Sequence, residues 1–354
     1  ALKYDSTYAQ AYTGLALVYW DKNYFPKYFS ENFMDSVLIL TNKAISLDNQ
    51  LSEAYTLRGK YYNEIGKPEQ AIEEFDKAIQ LNPNDWMAYM CRGKLYSKND
   101  FVKSLENYHK AISLNRDSTL PDLFRDICWV YRGAGFRDKA EYFNKEALKF
   151  DRDSLSFYWS LAFIEETNGN YTKALNLYKR VNTLDTTIVD ILWNIGNIYV
   201  FLEKYGEALD WFKKFLTHSD YLGSVSIIGY NRIGLAYWKN VDKDEARFYF
   251  NKHVNYLTKV DELGRSTMDR FSNAYDMAGV YAFLGEKEKA YEKLRLAGKR
   301  QTQELYEAIY VKNDALVKSY KADPVFQQHF RDVESKYQAE HERVRKWMED
   351  QGNH

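Results

Sequence analysis

Apolar and small residues recur along the chain in a fixed order, and that order is repeated. Residues 52–85, SEAYTLRGKYYNEIGKPEQAIEEFDKAIQLNPND, form a 34-residue unit with Gly59, Tyr62, Ala71, Phe75, Ala78 and Pro83 as its marked positions. The unit predicts two amphipathic helices packed antiparallel, with small residues where their backbones approach. Its ending, AIQLNPN (78–84), returns as AISLNRD (111–117) and ALKFDRD (147–153), and the chain opens on the similar ALKYDST (1–7).

Aligned on this unit, position 8 falls on Ala16, Gly59, Gly93, Cys128, Ala162, Gly196, Gly234 and Ala278, all small. Position 20 is Val37, Ala71, Ser104, Ala140, Ala174, Ala208, Ala246 and Ala290. Position 11 is Tyr in seven units and Glu165 in the fifth. Position 27 drifts from Ala to Val181, Phe215 and His253, so the packing between later units must be reshaped. These columns resemble the tetratricopeptide repeat. The resemblance implies an all-α, right-handed superhelical solenoid of about eight helix pairs with C-terminal capping helices.

The expected organisation has three parts. Residues 1–7 read as positions 27 to 33 of a preceding repeat. Residues 8–300 hold eight units, with a long A–B insert at 21–33 and an extension at 254–270. Residues 301–354 form the capping helices. The insert carries Tyr24, Phe25, Tyr28, Phe29 and Phe33 around Pro26, and reads as an aromatic plug or a ligand-facing loop. Asp323-Pro324 starts a last helix whose stripe is Phe326, Phe330, Val333, Tyr337, Val344 and Trp347. A cap is its first reading; a dimerising helix is the alternative.

Composition narrows the functions. Forty-nine basic residues face 50 acidic ones, which argues against a nucleic-acid or anionic-membrane footprint. There is no run of 18 apolar residues, so no membrane insertion is expected. Cys91 and Cys128 form no metal or redox spacing and read as small hydrophobes. The chain has no phosphate-binding glycine loop, zinc-protease motif or nucleophile elbow, and its six histidines are scattered. No enzyme, cofactor or metal is therefore expected.

What the repeat supplies is a groove. Positions 5, 9 and 12 of each A helix share one face and line the concave side of this fold. Five of the eight tryptophans fall there: Trp20, Trp129, Trp159, Trp193 and Trp238. Three positions in 34 would collect fewer than one of the eight by chance. Arg125, Arg132, Phe163, Glu166, Asn197, Asn231 and Tyr275 complete the candidate face. Rings with a few polar groups suit a protein or peptide partner, or a small ligand such as a sugar. The competing reading is burial of the rings within the chain, with the C-terminal helix folded into the groove. The pattern of a chaperone-tail carboxylate clamp is not reproduced, because Lys60 and Lys94 lack their Asn partners.

The segments NKAISLDNQLSEAYTLRG (42–59), after the long first turn, and DALVKSYKADPVFQQHFRDV (314–333) are similar to the C-terminal repeat region of bacterial multidomain regulators. Such repeats follow adenylate cyclase domains, or CadC-like and AraC-like DNA-binding domains with a TolB-like segment. This resemblance implies a sensory or scaffold part in signalling or transcription regulation, with a homodimer through the last helix as an alternative. A cyclase-type parent implies the cytoplasm, and a CadC-like parent the periplasm.

Overall fold

The first five B helices each end on an Asn or Asp whose side chain turns the backbone. Asp48, Asn82, Asn115, Asp151 and Asp185 each accept a hydrogen bond from the N–H two residues on, at 2.8–3.1 Å. Asp5 makes the same turn with Thr7. These Asx turns stop one helix and aim the chain into the next. Asp85 and Asp153 then cap the following helices by accepting from two N–H groups each.

The structure is a computed structural model that describes residues 1–23, 32–221, 229–262, 270–298, 303–317 and 320–352. The described residues form helices, without strands. Two compact units divide them, residues 1–126 and 127–354. The first unit holds the pairs α1 (Ala9–Lys22) with α2 (Met34–Leu47), α3 (Ser52–Glu64) with α4 (Pro68–Leu81), and α5 (Trp86–Tyr96) with α6 (Phe101–Leu114). The division falls inside α7 (Leu120–Gly133). In the second unit α7 is followed by α8 (Arg137–Asp151), and Tyr131 of α7 stacks on Phe143 of α8. The pairs α9 (Ser154–Thr167) with α10 (Tyr171–Leu184) and α11 (Val189–Phe201) with α12 (Tyr205–Tyr221) come next. Then follow α13 (Tyr230–Lys239) with α14 (Lys243–Glu262) and α15 (Arg270–Phe283) with α16 (Lys287–Ala297).

Close approach explains the small column. A Cβ built on Gly59 would sit 2.6 Å from Phe75, one on Gly196 2.6 Å from Phe212, and one on Gly234 2.7 Å from Phe250. The missing side chain makes room for the aromatic ring at position 24 of the partner helix. Phe75, Phe212 and Phe250 are 1%, 1% and 0% exposed. Each such ring stabilises its pair by roughly 2–3 kcal/mol through apolar burial. Where Ser104 replaces Ala, its hydroxyl donates to the Gly93 carbonyl at 2.8 Å, so the polar group is satisfied inside the pair.

Of the long first turn, Tyr24, Phe25, Pro26, Tyr28 and Phe29 lie outside the described residues. Phe33 is buried and stacks on Tyr19 at 5.8 Å. At the 254–270 extension α14 continues to Glu262, and residues 263–269 lie outside the described residues.

Two more helices follow the last pair. Helix α17 (Leu305–Asn313) packs on α9 and α18 and shares an apolar cluster with α15 and α16. Helix α18 (Pro324–Asp350) is capped by Asp323, whose carboxylate also takes the Tyr291 hydroxyl at 2.7 Å and Lys287 at 2.8 Å from α16. Its 27 residues span about 40 Å. That length carries it to the α7–α8 turn, where His341 stacks on Phe136 at 4.5 Å and its Nδ1 lies 2.7 Å from the Ala134 carbonyl oxygen. Gly135, with φ +84°, leaves room there for the Tyr337 hydroxyl. Helix α18 thus joins the beginning of the second unit to its last helix pair.

Candidate functional site

The inner face of the second unit is occupied by the chain's own residues 303–317. At one end Arg132 of α7 reaches Glu304 at 3.7 Å. Its other guanidinium nitrogen donates to Thr167 at 2.6 Å, and its carbon lies 4.0 Å from the centre of the Trp129 ring. In the middle the Tyr310 hydroxyl donates to Asp276 of α15 at 2.6 Å. The Tyr310 ring meets Phe201 of α11 edge-on at 6.0 Å. Asn313 donates to the Tyr171 hydroxyl of α10 at 3.2 Å. At the far end Arg232 of α13 pairs with Asp314 at 2.9 Å, both side chains being almost fully buried. Leu316 then closes on α15: a Cβ built on Gly279 would sit 3.4 Å from the Leu316 Cβ.

The electrostatics follow from burial. Glu166 is 4% exposed, and desolvation pushes its carboxyl up to about 7 even though Tyr178 donates to it at 2.5 Å and Asn197 at 3.4 Å. Burial likewise raises Asp276 to about 6, against the opposing pull of Arg232 and the Tyr310 hydroxyl. Burial opposes the charge of Arg232, but Asp314 outweighs it and holds the guanidinium protonated. Burial raises the Tyr306 and Tyr310 hydroxyls well above their usual range, so both remain donors. Tyr306 also feels the Glu166 carboxylate.

Four of the eleven residues singled out from the sequence, Arg132, Glu166, Asn197 and Tyr275, join this buried region; Tyr275 is edge-on to Tyr310 at 5.7 Å and stacked on His329. Asn231 is buried at 1% exposure, one residue before Arg232. Trp129 and Phe163 adjoin it, with rings 5.3 Å apart, and Trp129 is 47% exposed. Trp159 and Trp193 are half-buried against the helical core, and the Trp193 indole lies where a side chain on Gly229 would be. Trp238 packs edge-on against Phe283 at 4.5 Å, within the α13–α15 interface. Arg125 belongs to the first unit, where it pairs with Asp122. The sequence reading missed Arg232, Asp276, Glu304, Tyr310 and Asp314. Arg232 and Asp276 each follow a counted position by one residue, and the other three lie beyond the repeats.

Position 11 of the fifth unit is explained too. Glu165 is buried, and it accepts from Arg137 at 2.6 Å, from Asn170 at 2.8 Å and from Lys173. Burial opposes its charge, but these donors hold its carboxyl below the usual range. A surface pocket of about 440 Å³ beside it is lined by the same residues with Tyr171 and Leu202.

No group of His, Cys, Asp and Glu among the described residues has the arrangement of a metal site. Burial pushes the Cys91 and Cys128 thiols up to about 11, far from a reactive thiolate. His253 is buried at the position-27 packing site, and burial lowers it to about 3, so it is a neutral imidazole. No described helix is long and apolar enough to cross a membrane. What the site does is hold a short peptide segment by ion pairs, tyrosine hydroxyls and aliphatic contacts.

A family model described as TPR repeat matches residues 59–100, and one described as tetratricopeptide repeat matches residues 189–217 and 229–255. The crystal structure of a tetratricopeptide repeat protein from Parabacteroides merdae superposes with a TM-score of 0.54 at 16% identity, over 81% of this chain and 99% of that one. The fold is a tetratricopeptide-repeat solenoid. Human tetratricopeptide repeat protein 13 is 29% identical over 34% of this chain and 14% of its own length. The bovine BBSome complex member BBS4 is 23% identical over 63% of this chain and 42% of its own length. The chain therefore spans less than half of either curated relative. Together these likenesses support a tetratricopeptide-repeat protein-interaction scaffold, a class that is generally non-catalytic.

Proposed function

We propose that this chain is a non-catalytic interaction module whose second unit grips a segment of protein along its A helices, as the sensory or scaffold part of a larger regulatory protein. One observation carries the reading. A single stretch, Glu304 to Leu316, is engaged in turn by α7, α10, α11, α13 and α15. That is how a groove reads a peptide: polar anchors fix register, and apolar contacts fill the space between them. The bovine relative, named as a complex member, agrees with a role in assembly. The regulatory setting draws on the likeness of residues 42–59 and 314–333 to bacterial regulators.

The test uses the full chain with its own segment loosened by Tyr310→Phe and Asp314→Asn. A labelled peptide of sequence QELYEAIYVKNDALV, residues 303–317, is titrated into it. Saturable binding at micromolar peptide, lost when Arg232→Met is added, supports the groove. A folded variant that binds none of the peptide at millimolar concentration removes it.

A further inference from the structure

The groove's polar lining is specific, and from it we infer that the partner is an acidic, tyrosine-bearing segment which residues 303–317 mimic and block in cis. This rests on the peptide-groove reading and adds to it the chemistry of the partner.

Two buried arginines sit at the two ends of the site, Arg132 at 5% and Arg232 at 2% exposure. The occupying segment meets them with carboxylates ten residues apart, Glu304 and Asp314. Between the arginines stand two acids that take phenolic hydrogens or lie beside them, half-buried Asp276 with Tyr310 and buried Glu166 near Tyr306. An apolar segment in this groove would leave Arg232 desolvated and unpaired, and a basic one would face two guanidinium groups. Either mismatch costs several kcal/mol, because a buried charge without its partner keeps its full desolvation penalty. Selection of this kind comes from unpaired groups in the wrong complex.

The cis segment also fits imperfectly. Arg232 Nη2 and Asp314 Oδ2 both lie buried without a hydrogen-bond partner, although their residues are paired through the other atoms. The Gln303 side chain is fully buried with neither its oxygen nor its nitrogen bonded. A partner whose carboxylate meets Arg232 with both oxygens would gain the bidentate geometry that the cis segment lacks. The cis segment holds its place because it is tethered, which gives it an effective concentration in the millimolar range. A partner must overcome that tether, so the apparent affinity of the intact chain is reduced by the fraction of time the groove is open.

Fluorescence anisotropy on full chains tests this with three labelled peptides. They are the 303–317 sequence, the same with Glu304→Gln and Asp314→Asn, and the same with Tyr306→Phe and Tyr310→Phe. The receptors are the wild-type chain and the Tyr310→Phe/Asp314→Asn chain, with helix content checked by circular dichroism. The acidic peptide is expected to bind the loosened chain about tenfold or more tighter than either altered peptide, a difference of one buried polar partner. It is expected to bind wild type about tenfold or more weakly than the loosened chain. If the three peptides bind the loosened chain alike, the acidic-tyrosine chemistry is wrong while the peptide groove stands. If wild type and loosened chain bind the acidic peptide equally, the cis block is wrong. If no peptide binds the folded, loosened chain, both readings fall. Should the double variant not fold, Glu304→Gln, at the more exposed end, serves as the loosened receptor with the same outcomes.

Discussion

Replacing Asp314 by Ala strikes the contact on which the site's occupancy depends. Arg232 is 2% exposed and Asp314 1%, so the pair is removed from water on all sides. Deleting the carboxylate leaves the guanidinium with the weaker support of Asp276 nearby and of the Tyr310 and Phe201 rings, whose centres lie 4.3 and 5.4 Å from its carbon. It also removes the Asp314 oxygen that accepts from the Leu316 N–H at 3.0 Å. Breaking a buried pair on one side costs roughly 3–5 kcal/mol. Because Asp276 remains, the lower end applies, about 3 kcal/mol. The molecule has a way to limit that loss: the segment can lift away and let water reach Arg232. The cost should therefore appear locally, as opening of 303–317, before it appears as global unfolding. Hydrogen exchange read by mass spectrometry should show amides of Ala308–Val311 exchanging on the order of 100-fold faster, the equivalent of about 3 kcal/mol. The repeat helices α9 to α12 should be little changed. Replacing both partners, Arg232→Met with Asp314→Leu, should restore most of the protection, since an apolar pair of similar volume needs no counter-charge. Exchange of this segment within twofold of wild type in Asp314→Ala would refute the reasoning.

Glu166 and Asp276 make stability depend on pH. Both carboxyls are raised in the folded chain, to about 7 and about 6, so the native state holds protons that the unfolded chain releases. Their contribution is full below about pH 4 and is lost as pH rises through 7. Glu166→Gln should flatten the urea-midpoint profile between pH 5 and 8 and stabilise the protein at pH 8 by up to about 3 kcal/mol; an unchanged slope contradicts the burial of Glu166. Gly196→Ala places a methyl 2.6 Å from the Phe212 ring and should destabilise the second unit by about 1–3 kcal/mol in thermal unfolding, whereas a neutral result would mean the α11–α12 approach is looser than described. The Cys91 and Cys128 thiols, buried and raised to about 11, should resist Ellman's reagent in the native chain at pH 8 and react fully in denaturant. Rapid native labelling of either would show that its helix pair is misplaced.

The repeats were readable because their signals are local. Gly59, Gly196 and Gly234 each announce an aromatic ring sixteen residues on, and one helix pair contains both partners. The turn Asn and Asp residues work within two residues of themselves. The groove was readable only as a row of positions, and its occupant was not. Arg232 finds Asp314 from 82 residues away, a pairing that no local spacing encodes. Arg232 and Asp276 also lie one residue beyond the counted row, because the site wraps further around α13 and α15 than the 5, 9, 12 pattern allows. The tryptophan enrichment was real, but most of its rings serve packing. Trp238 fills the space beside Phe283, and Trp159 and Trp193 lie against the core, leaving Trp129 as the exposed ring among these four. Aromatic residues at a predicted groove thus reported apolar area without saying whether the chain itself would cover it.

The central claim is that residues 303–317 lie along the inner face of the second unit, and a disulfide tests it most directly. A Cβ built on Gly279 lies 3.4 Å from the Leu316 Cβ, close to the separation that a disulfide spans. In the Gly279→Cys/Leu316→Cys chain, mild oxidation at low protein concentration should form an intrachain bond between these positions, identified by peptide mapping. Each single variant should form none. Four free thiols after oxidation, the two introduced ones beside those of Cys91 and Cys128, or bonds only between different molecules, would contradict the account.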